Sequence, residues 1–391
     1  MLGTFGMRPK ATMSARALAI GQALREHGWD IRIGTTPWDR PRDAGRRWVD
    51  GGVRISNTHV NRPALWPFAA GEMIGWARVE RPSLIHLFKP KGFGDLASRW
   101  LRRSTPVVVD MDDWEGNGGW NDTGLYGPLQ RRVFDWQERT WPGLASALTV
   151  ASRELERRAV GLGAPVERVH YVPNGLTTAR IAALAPDPAA VAEFRARGLS
   201  GDGPSILLYT RFVEFDPAGI ADLLAGVRAR VPGTRLVIAG CSADGKAESA
   251  LLTRARTLGC DNAIVQLGWI DPGHLGFIAG ACDFAIHPFA DSRLNRAKSP
   301  VKLLELMASG IPVVTTDVGE APAFIEHGIN GIIAPPGDTT ALVAVVSSGL
   351  EQPDLRTRIG RAARERVARH FVWDRLVDRV LQAYEVGLGN G

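Results

Sequence analysis

The sequence predicts an α/β protein built as two doubly wound domains in series. Three observations carry that expectation. The chain has 391 residues, more than one ordinary hydrophobic core fills. Short runs rich in Val, Ile and Leu alternate with helical patterns from one end to the other. Most of these runs are continuously apolar rather than alternating, as parallel strands are when helices cover both faces of their sheet.

Taken in order, the strand candidates of the first half are residues 2–5, 31–35, 53–57, 84–88, 106–111, 147–151 and 168–172. Those of the second half are 205–210, 235–239, 263–267, 283–287, 311–316 and 331–334. Residues 12–27 read as the first helix, entered through a glycine turn. The first strand is short enough that the true start of translation is expected upstream of Met1. Residues 176–203, rich in Ala, Pro, Asp and Gly, read as a hinge with one helical piece at 189–197. The expected domains are 1–175, rejoined by a C-terminal helix at 372–391, and 176–371.

Apolar and charged fractions of 45% and 23% exclude a disordered chain. Cys241, Cys260 and Cys282 lack metal-ligand spacing, which points to a reducing compartment rather than a disulfide framework. No apolar run approaches a membrane span, and no leader is expected. Residues 1–180 carry 26 Lys and Arg against 18 Asp and Glu, whereas the remainder carries 21 against 23. Ten of the twelve tryptophans also lie in that first part. A basic, Trp-rich half fits an anionic membrane surface or a phosphate-bearing acceptor. Nucleic acid is not expected, because no recognition helix or aromatic platform accompanies the charge.

The most informative stretch is SPVKLLELMASGIPVVTT at 299–316. Ser299 is placed to cap a helix, Pro300 to open it and Gly310 to close it. Leu303, Leu304 and Met307 form its apolar face. Lys302 and Glu305 share the other face, a pairing that suits a ligand with phosphates at one end and hydroxyls at the other. The plain alternative is a surface ion pair.

Seven segments in order then resemble the family 4 retaining glycosyltransferases of the GT-B fold, over nearly the whole chain. They are TFGMRPK (4–10), YVPNG (171–175), YTRF (209–212), LVIAG (236–240), LGWI (267–270), ACDFAIHP (281–288) and LELMASGIPVV (304–314). The resemblance implies two Rossmann-like domains facing each other across a cleft. It also implies retention of configuration at the sugar carbon, with a nucleotide-diphosphate sugar as donor. Glu305 is then expected to accept the ribose hydroxyls. Gly268, Trp269 and Leu303 would line the base and diphosphate side. Arg211, with Lys298 or Lys302, would neutralise the diphosphate. The Gly6–Lys10 loop would face it from the first domain. Two departures stand out: Ala297 replaces a frequent glutamate, and Asp216 and Pro217 replace a lysine.

In the first half, Asp112, Asp113 and Glu115 follow a strand, where α/β ligands gather. Asp112 stands where many family members carry a histidine near the donor sugar. Arg211, Lys302 and Asp112 are the catalytic candidates. His86, Lys89, Asp113 and Glu115 are the acceptor-side candidates, with His86 read more readily as a hydrogen-bonded strand residue than as a base. An Asp-x-Asp metal site is the weaker reading, so neither metal nor cofactor is expected. The acceptor is expected to be a glycan or lipid-linked glycan, at the cytoplasmic face of a membrane. A UDP-sugar 2-epimerase and an inactive binding relative stay open from sequence alone.

Overall fold

The computed structural model describes residues 1–7, 12–38, 40–60, 65–199 and 203–389. The chain forms two compact units. Unit 1 comprises Met1–Gly175, Arg296–Ser299 and Trp373–Gly391, and unit 2 comprises Leu176–Asn295 and Pro300–Val372. The four residues Arg296–Ser299 therefore belong to unit 1, which the sequence reading had assigned to the second domain.

Unit 1 is an eight-stranded sheet. Its strands are β1 (Leu2–Gly3), β2 (Arg32–Thr35), β3 (Arg47–Asp50), β4 (Val53–Asn57), β5 (Ile85–Phe88), β6 (Val107–Met111), β7 (Ala147–Val150) and β8 (Val169–Tyr171), in the order β3-β4-β2-β1-β5-β6-β7-β8. Every pairing is parallel except β3 with β4. Strands β5 and β6 are buried along their whole length, which is why they read as largely apolar runs broken only by His86 and Asp110. The sequence reading missed β3. It is an edge hairpin strand with mostly exposed side chains, so no apolar run marks it. Helices α1 (Leu18–Glu26), α2 (Trp66–Glu80), α3 (Gly92–Leu101), α4 (Pro128–Thr140) and α5 (Arg153–Gly161) flank the sheet, and α1 is entered through a π-helical turn at Thr12–Ala17.

Strand order reverses between β1 and β5, so the segments after their carboxyl ends border the ligand crevice typical of such sheets. Gly92 opens α3 there with φ of +59°, and a Cβ on it would stand 3.0 Å from Thr4 Cγ2. Only glycine suits both the angle and the approach.

Unit 2 is an all-parallel sheet of β9 (Ser205–Tyr209), β10 (Arg235–Ala239), β11 (Ile264–Gly268), β12 (Phe284–His287), β13 (Val313–Thr316) and β14 (Ile332–Ala334), ordered β11-β10-β9-β12-β13-β14. The supposed hinge is substantially helical, with α6 (Thr178–Ala183) and α7 (Pro188–Gly198). Then come α8 (Pro217–Arg230), α9 (Lys246–Thr257), α10 (Leu275–Ala281), α11 (Arg293–Ala297), α12 (Val301–Ser309), α13 (Ala321–Phe324), α14 (Thr339–Leu350) and α15 (Pro353–His370). The last helix, α16 (Trp373–Leu388), returns to unit 1. Its Trp373, Leu376, Val377, Val380 and Tyr384 are buried with the apolar face of α1.

Local chemistry accounts for several ends. Asp187, Asp216 and Asp338 accept from amides of the first turns of α7, α8 and α14. The Asp216–Pro217 pair that replaces the family lysine is thus a helix start. Gly310 closes α12 with φ of +82°. Ser299 does not cap α12. Its hydroxyl accepts from Asn174 N at 2.9 Å, and its carbonyl accepts from Asn174 Nδ2 at 2.7 Å. Pro300 is the residue that precedes the helix, and no side chain caps it. Cys241, Cys260 and Cys282 are free thiols. Among the described residues no helix is long and apolar enough to cross a membrane.

Candidate functional site

In unit 2 the strand order reverses between β9 and β12. The loops that follow these strands are tied together. Asn295 Nδ2 donates to Glu214 O at 2.7 Å and to Ala290 O at 2.8 Å, and Ala290 N donates to Glu214 O at 2.8 Å. Phe212 takes φ of +60°, rare for an aromatic residue, with its amide donating to Thr210 Oγ1 at 2.7 Å. A Cβ on Gly240 would stand 1.9 Å from Thr210 O, so the loops after β9 and β10 approach as backbone.

Helix α12 presents Lys302 and Glu305 beside the end of β9. Glu305 Oε1 accepts from Arg180 Nε at 2.8 Å and from Arg180 Nη2 at 2.6 Å. The Tyr209 hydroxyl bonds to Glu305 as well, and burial followed by that carboxylate pushes its pKa up. Lys302 Nζ lies 3.7 Å from the centroid of the Tyr209 ring, a cation over an aromatic face. Burial, and then the guanidinium of Arg211, lower the Lys302 ammonium to about 8, with Glu214 and Glu305 opposing. Arg211 itself is exposed. Lys302 and Arg211 thus place two cations beside the Glu305 carboxylate.

The neighbouring loop after β11 is tethered at its base, where Gly268 O accepts from Gly240 N at 2.7 Å. Gly268 has φ of +64° with open space where a Cβ would point, and Trp269 is 68% exposed. Leu303 is a correction. Its side chain is buried in the unit 2 core and its amide donates to Pro300 O at 3.1 Å, so it has nothing left for a ligand. Lys298 is buried in unit 1, with Nζ 5.3 Å from the Trp120 ring. Ala297 is fully buried in the same unit's core, which leaves no polar surroundings for a glutamate.

Unit 1 holds a second cluster, after β5 and β6. Lys89 takes φ of +60° and is buried. Its Nζ lies 2.8 Å from Glu115 Oε1, 3.0 Å from Asp113 Oδ2 and 3.3 Å from Asp112 Oδ1. Lys91 Nζ meets Glu115 Oε2 at 2.6 Å and covers the rings of Tyr126 and Phe134 at 4.1 and 4.5 Å. Lys89, expected to meet a phosphate or an acceptor, is instead surrounded by carboxylates, and the Asp-x-Asp segment encloses an ammonium. Burial pushes Asp112 up to about 7 against the pull of Lys89. Its Oδ1 has no hydrogen-bond partner among the described residues. The sequence reading missed Lys91 and Glu138. Glu138 is fully buried with neither carboxyl oxygen hydrogen-bonded among the described residues, and burial followed by Glu115 raises its pKa well above the usual range.

His86 is also a correction as an acceptor contact. It is buried within β5, with Nδ1 2.9 Å from Tyr384 OH and Nε2 3.1 Å from Thr149 Oγ1, and burial lowers it to about 3. It stays neutral and joins a structural network. Thr149 Oγ1 donates to Asp110, whose two oxygens accept from Arg16 Nε and Nη2 at 2.8 and 2.7 Å. Arg16 Nη1 continues to Asn174 Oδ1 at 3.0 Å. Gly6 is buried just after β1, and Lys10 lies outside the described residues.

Two doubly wound α/β units in series are the architecture of the GT-B fold, which the solved neighbours share. Residues 11–175 match the glycosyl transferase 4-like domain, and residues 192–366 match glycosyl transferases group 1. The two glycosyl transferase domains together span most of the chain, which is a glycosyltransferase. It is 27% identical to glycogen synthase of Mycobacterium tuberculosis over 407 residues, covering 93% of this chain and 88% of that protein. Sucrose-phosphate synthase from Thermosynechococcus elongatus shares the fold with a TM-score of 0.79, over 100% of this chain and 99% of that one, at 18% identity. Anabaena HepE, solved in complex with UDP-glucose, gives 0.71 over 97% of this chain and 98% of that one, at 17% identity.

Proposed function

We propose that the chain moves a sugar from a nucleoside-diphosphate sugar to a hydroxyl acceptor, with retention at the anomeric carbon, in polysaccharide or lipid-linked glycan assembly. The observation that carries this reading is the row Lys302, Tyr209, Glu305 at the end of β9, with Arg211 beside it. A diphosphate meets the two cations, and the ribose hydroxyls donate to Glu305. The loop from Gly268 to Trp269 takes the base. HepE in complex with UDP-glucose, a protein of the same fold, supports such a donor.

The chemistry asks little of a nucleophile. As the glycosidic C–O bond breaks, its electron pair leaves with the diphosphate, and positive charge grows on the sugar ring. Arg211 and Lys302 stabilise the departing charge. The acceptor hydroxyl attacks from the face the diphosphate leaves, and its proton passes to the leaving phosphate. Orientation and charge stabilisation supply the rate enhancement. In unit 1, Asp112 ionises near neutrality and holds an acceptor hydroxyl. Asp113 and Glu115 help through Lys89. A lipid-linked acceptor at the inner membrane face fits exposed Leu125, Leu129 and Trp136, which lie among Arg131, Arg132 and Arg139.

Incubation with radiolabelled UDP-, GDP-, ADP- and dTDP-sugars, alone and with glycan or polyprenyl-linked acceptors, tests the reading. Transfer or slow donor hydrolysis with one of them is expected, and an α-donor should yield an α-product by NMR. Failure to bind any of the four overturns it.

A further inference from the structure

Arg180 is the residue of unit 2 that no sequence motif marked. It sits in α6, in the segment read as a hinge, 125 positions before Glu305. Three of its N–H groups are fixed. Nε and Nη2 both donate to Glu305 Oε1, and Nη1 donates to Pro272 O at 2.8 Å. Pro272 begins the single 3-10 turn Pro272–His274, just beyond Trp269, which Asp271 caps through Gly273 N at 2.8 Å. The guanidinium therefore joins the candidate ribose acid to the candidate base loop.

The arginine is itself held in place. Thr177 Oγ1 accepts from Arg180 N at 3.1 Å, and Leu176 N donates to Phe371 O at 2.8 Å, so the start of α6 is anchored at both levels. A planar guanidinium with three committed N–H groups has little rotamer freedom left to lose when a ligand arrives. Both bonds to Glu305 fall on one oxygen, Oε1.

We propose that Arg180 is a positioning residue for the nucleotide: anchored at its other end on Pro272 O, it orients Glu305 toward the ribose. This rests on the nucleotide-sugar reading above. Arg180 acts on the nucleoside part of the donor and not on its diphosphate, which Lys302 and Arg211 serve. A lysine at 180 would keep the charge but lose the fork, so it would not replace the arginine.

Isothermal titration of the full-length chain tests this. The probes are whichever of UDP, GDP and ADP binds tightest, its 2′,3′-dideoxy analogue, and inorganic diphosphate. Arg180→Ala is expected to weaken the ribonucleotide by about tenfold, as loss of charge-assisted bonds does. It should change the dideoxy analogue and diphosphate by no more than about twofold, because the ribose term is then absent. Arg180→Lys should behave like Arg180→Ala, and Arg180→Ala should add nothing in a Glu305→Ala background. Equal losses for the ribonucleotide and its dideoxy analogue overturn the inference. So does tighter binding by Arg180→Ala, which would make the arginine a blocking residue. Normal binding by both Arg180 variants, with loss in Glu305→Ala, overturns the inference and spares the nucleotide reading. Normal binding by Glu305→Ala overturns the reading itself. Arg180→Lys, which keeps the charge and most of the volume, serves if the alanine variant does not fold.

Discussion

The ammonium of Lys302 rests 3.7 Å from the centre of the Tyr209 ring, on the strand end whose hydroxyl bonds to Glu305. The contact joins the cationic end of the site to its acidic end through a single side chain. It also explains how a half-buried lysine beside Arg211 is tolerated: the ring face supplies part of what water would have given.

Proton uptake on binding follows from that geometry. Free Lys302 titrates at about 8, below the ordinary 10.5. A diphosphate against the ammonium favours the charged form and raises it again. Between those two values the free site is mostly neutral and the occupied site charged, so binding takes up as much as one proton. Titrations in buffers of different ionisation enthalpy should show the uptake above pH 8 and little of it well below. Lys302→Met should abolish it and weaken diphosphate binding by about tenfold. No uptake in the wild type would contradict the assignment.

Asp112 sets a second pH dependence, in stability. Its folded-state pKa of about 7 lies above the ordinary 3.8. The folded chain thus holds this proton more tightly than the unfolded chain. Wild-type stability falls as pH rises between the two values, and the loss is complete above the higher one. Asp112→Asn carries no such proton. Its stability relative to wild type should climb across the window and level off above about pH 7. Urea midpoints at a series of pH values check this, and a flat difference would refute it.

Lys89 is the counter-charge of three carboxylates. Lys89→Met leaves Asp112, Asp113 and Glu115 facing one another in a buried place, with Lys91 alone to compensate. A loss of about 3–5 kcal/mol is expected, as when one partner of a buried ion pair is removed. Denaturant unfolding measures it. A loss under about 1 kcal/mol would mean that the cluster behaves like a solvated surface pair.

Ala297→Glu introduces the acid that the family resemblance leads one to expect, yet it should not restore anything here. The methyl of Ala297 is packed in the unit 1 core, so the longer acid brings both overpacking and a buried charge. A loss of at least about 2 kcal/mol is expected, read as a fall in melting temperature. An unchanged melting temperature would show that the carboxylate finds polar company.

The sheet strands were legible because burial on both faces writes itself as an apolar run, and β6 is the clearest case. Strand β3 was not, since an exposed edge strand leaves no such trace. Ser299 had every local mark of a helix cap, but its hydroxyl and carbonyl go to Asn174, a partner 125 residues away. Lys302 and Glu305 were legible as one helix face, and the structure sets both against Tyr209. Arg180 was not, because an arginine in a polar linker looks solvated until the fold sets it against Glu305. Burial, equally, turned His86 and Leu303 from ligand candidates into core residues, and exposed Glu138 as a buried acid that spacing had not marked.

The most direct test of the central claim is nucleotide-sugar binding by Glu305→Ala against wild type. The probe is whichever of the UDP-, GDP- and ADP-sugars the wild type binds, with the melting temperature as a check on folding. Binding at least about tenfold weaker in the variant, at an unchanged melting temperature, is the predicted result. Equal affinity in the two proteins would contradict the placement of the donor at the end of β9.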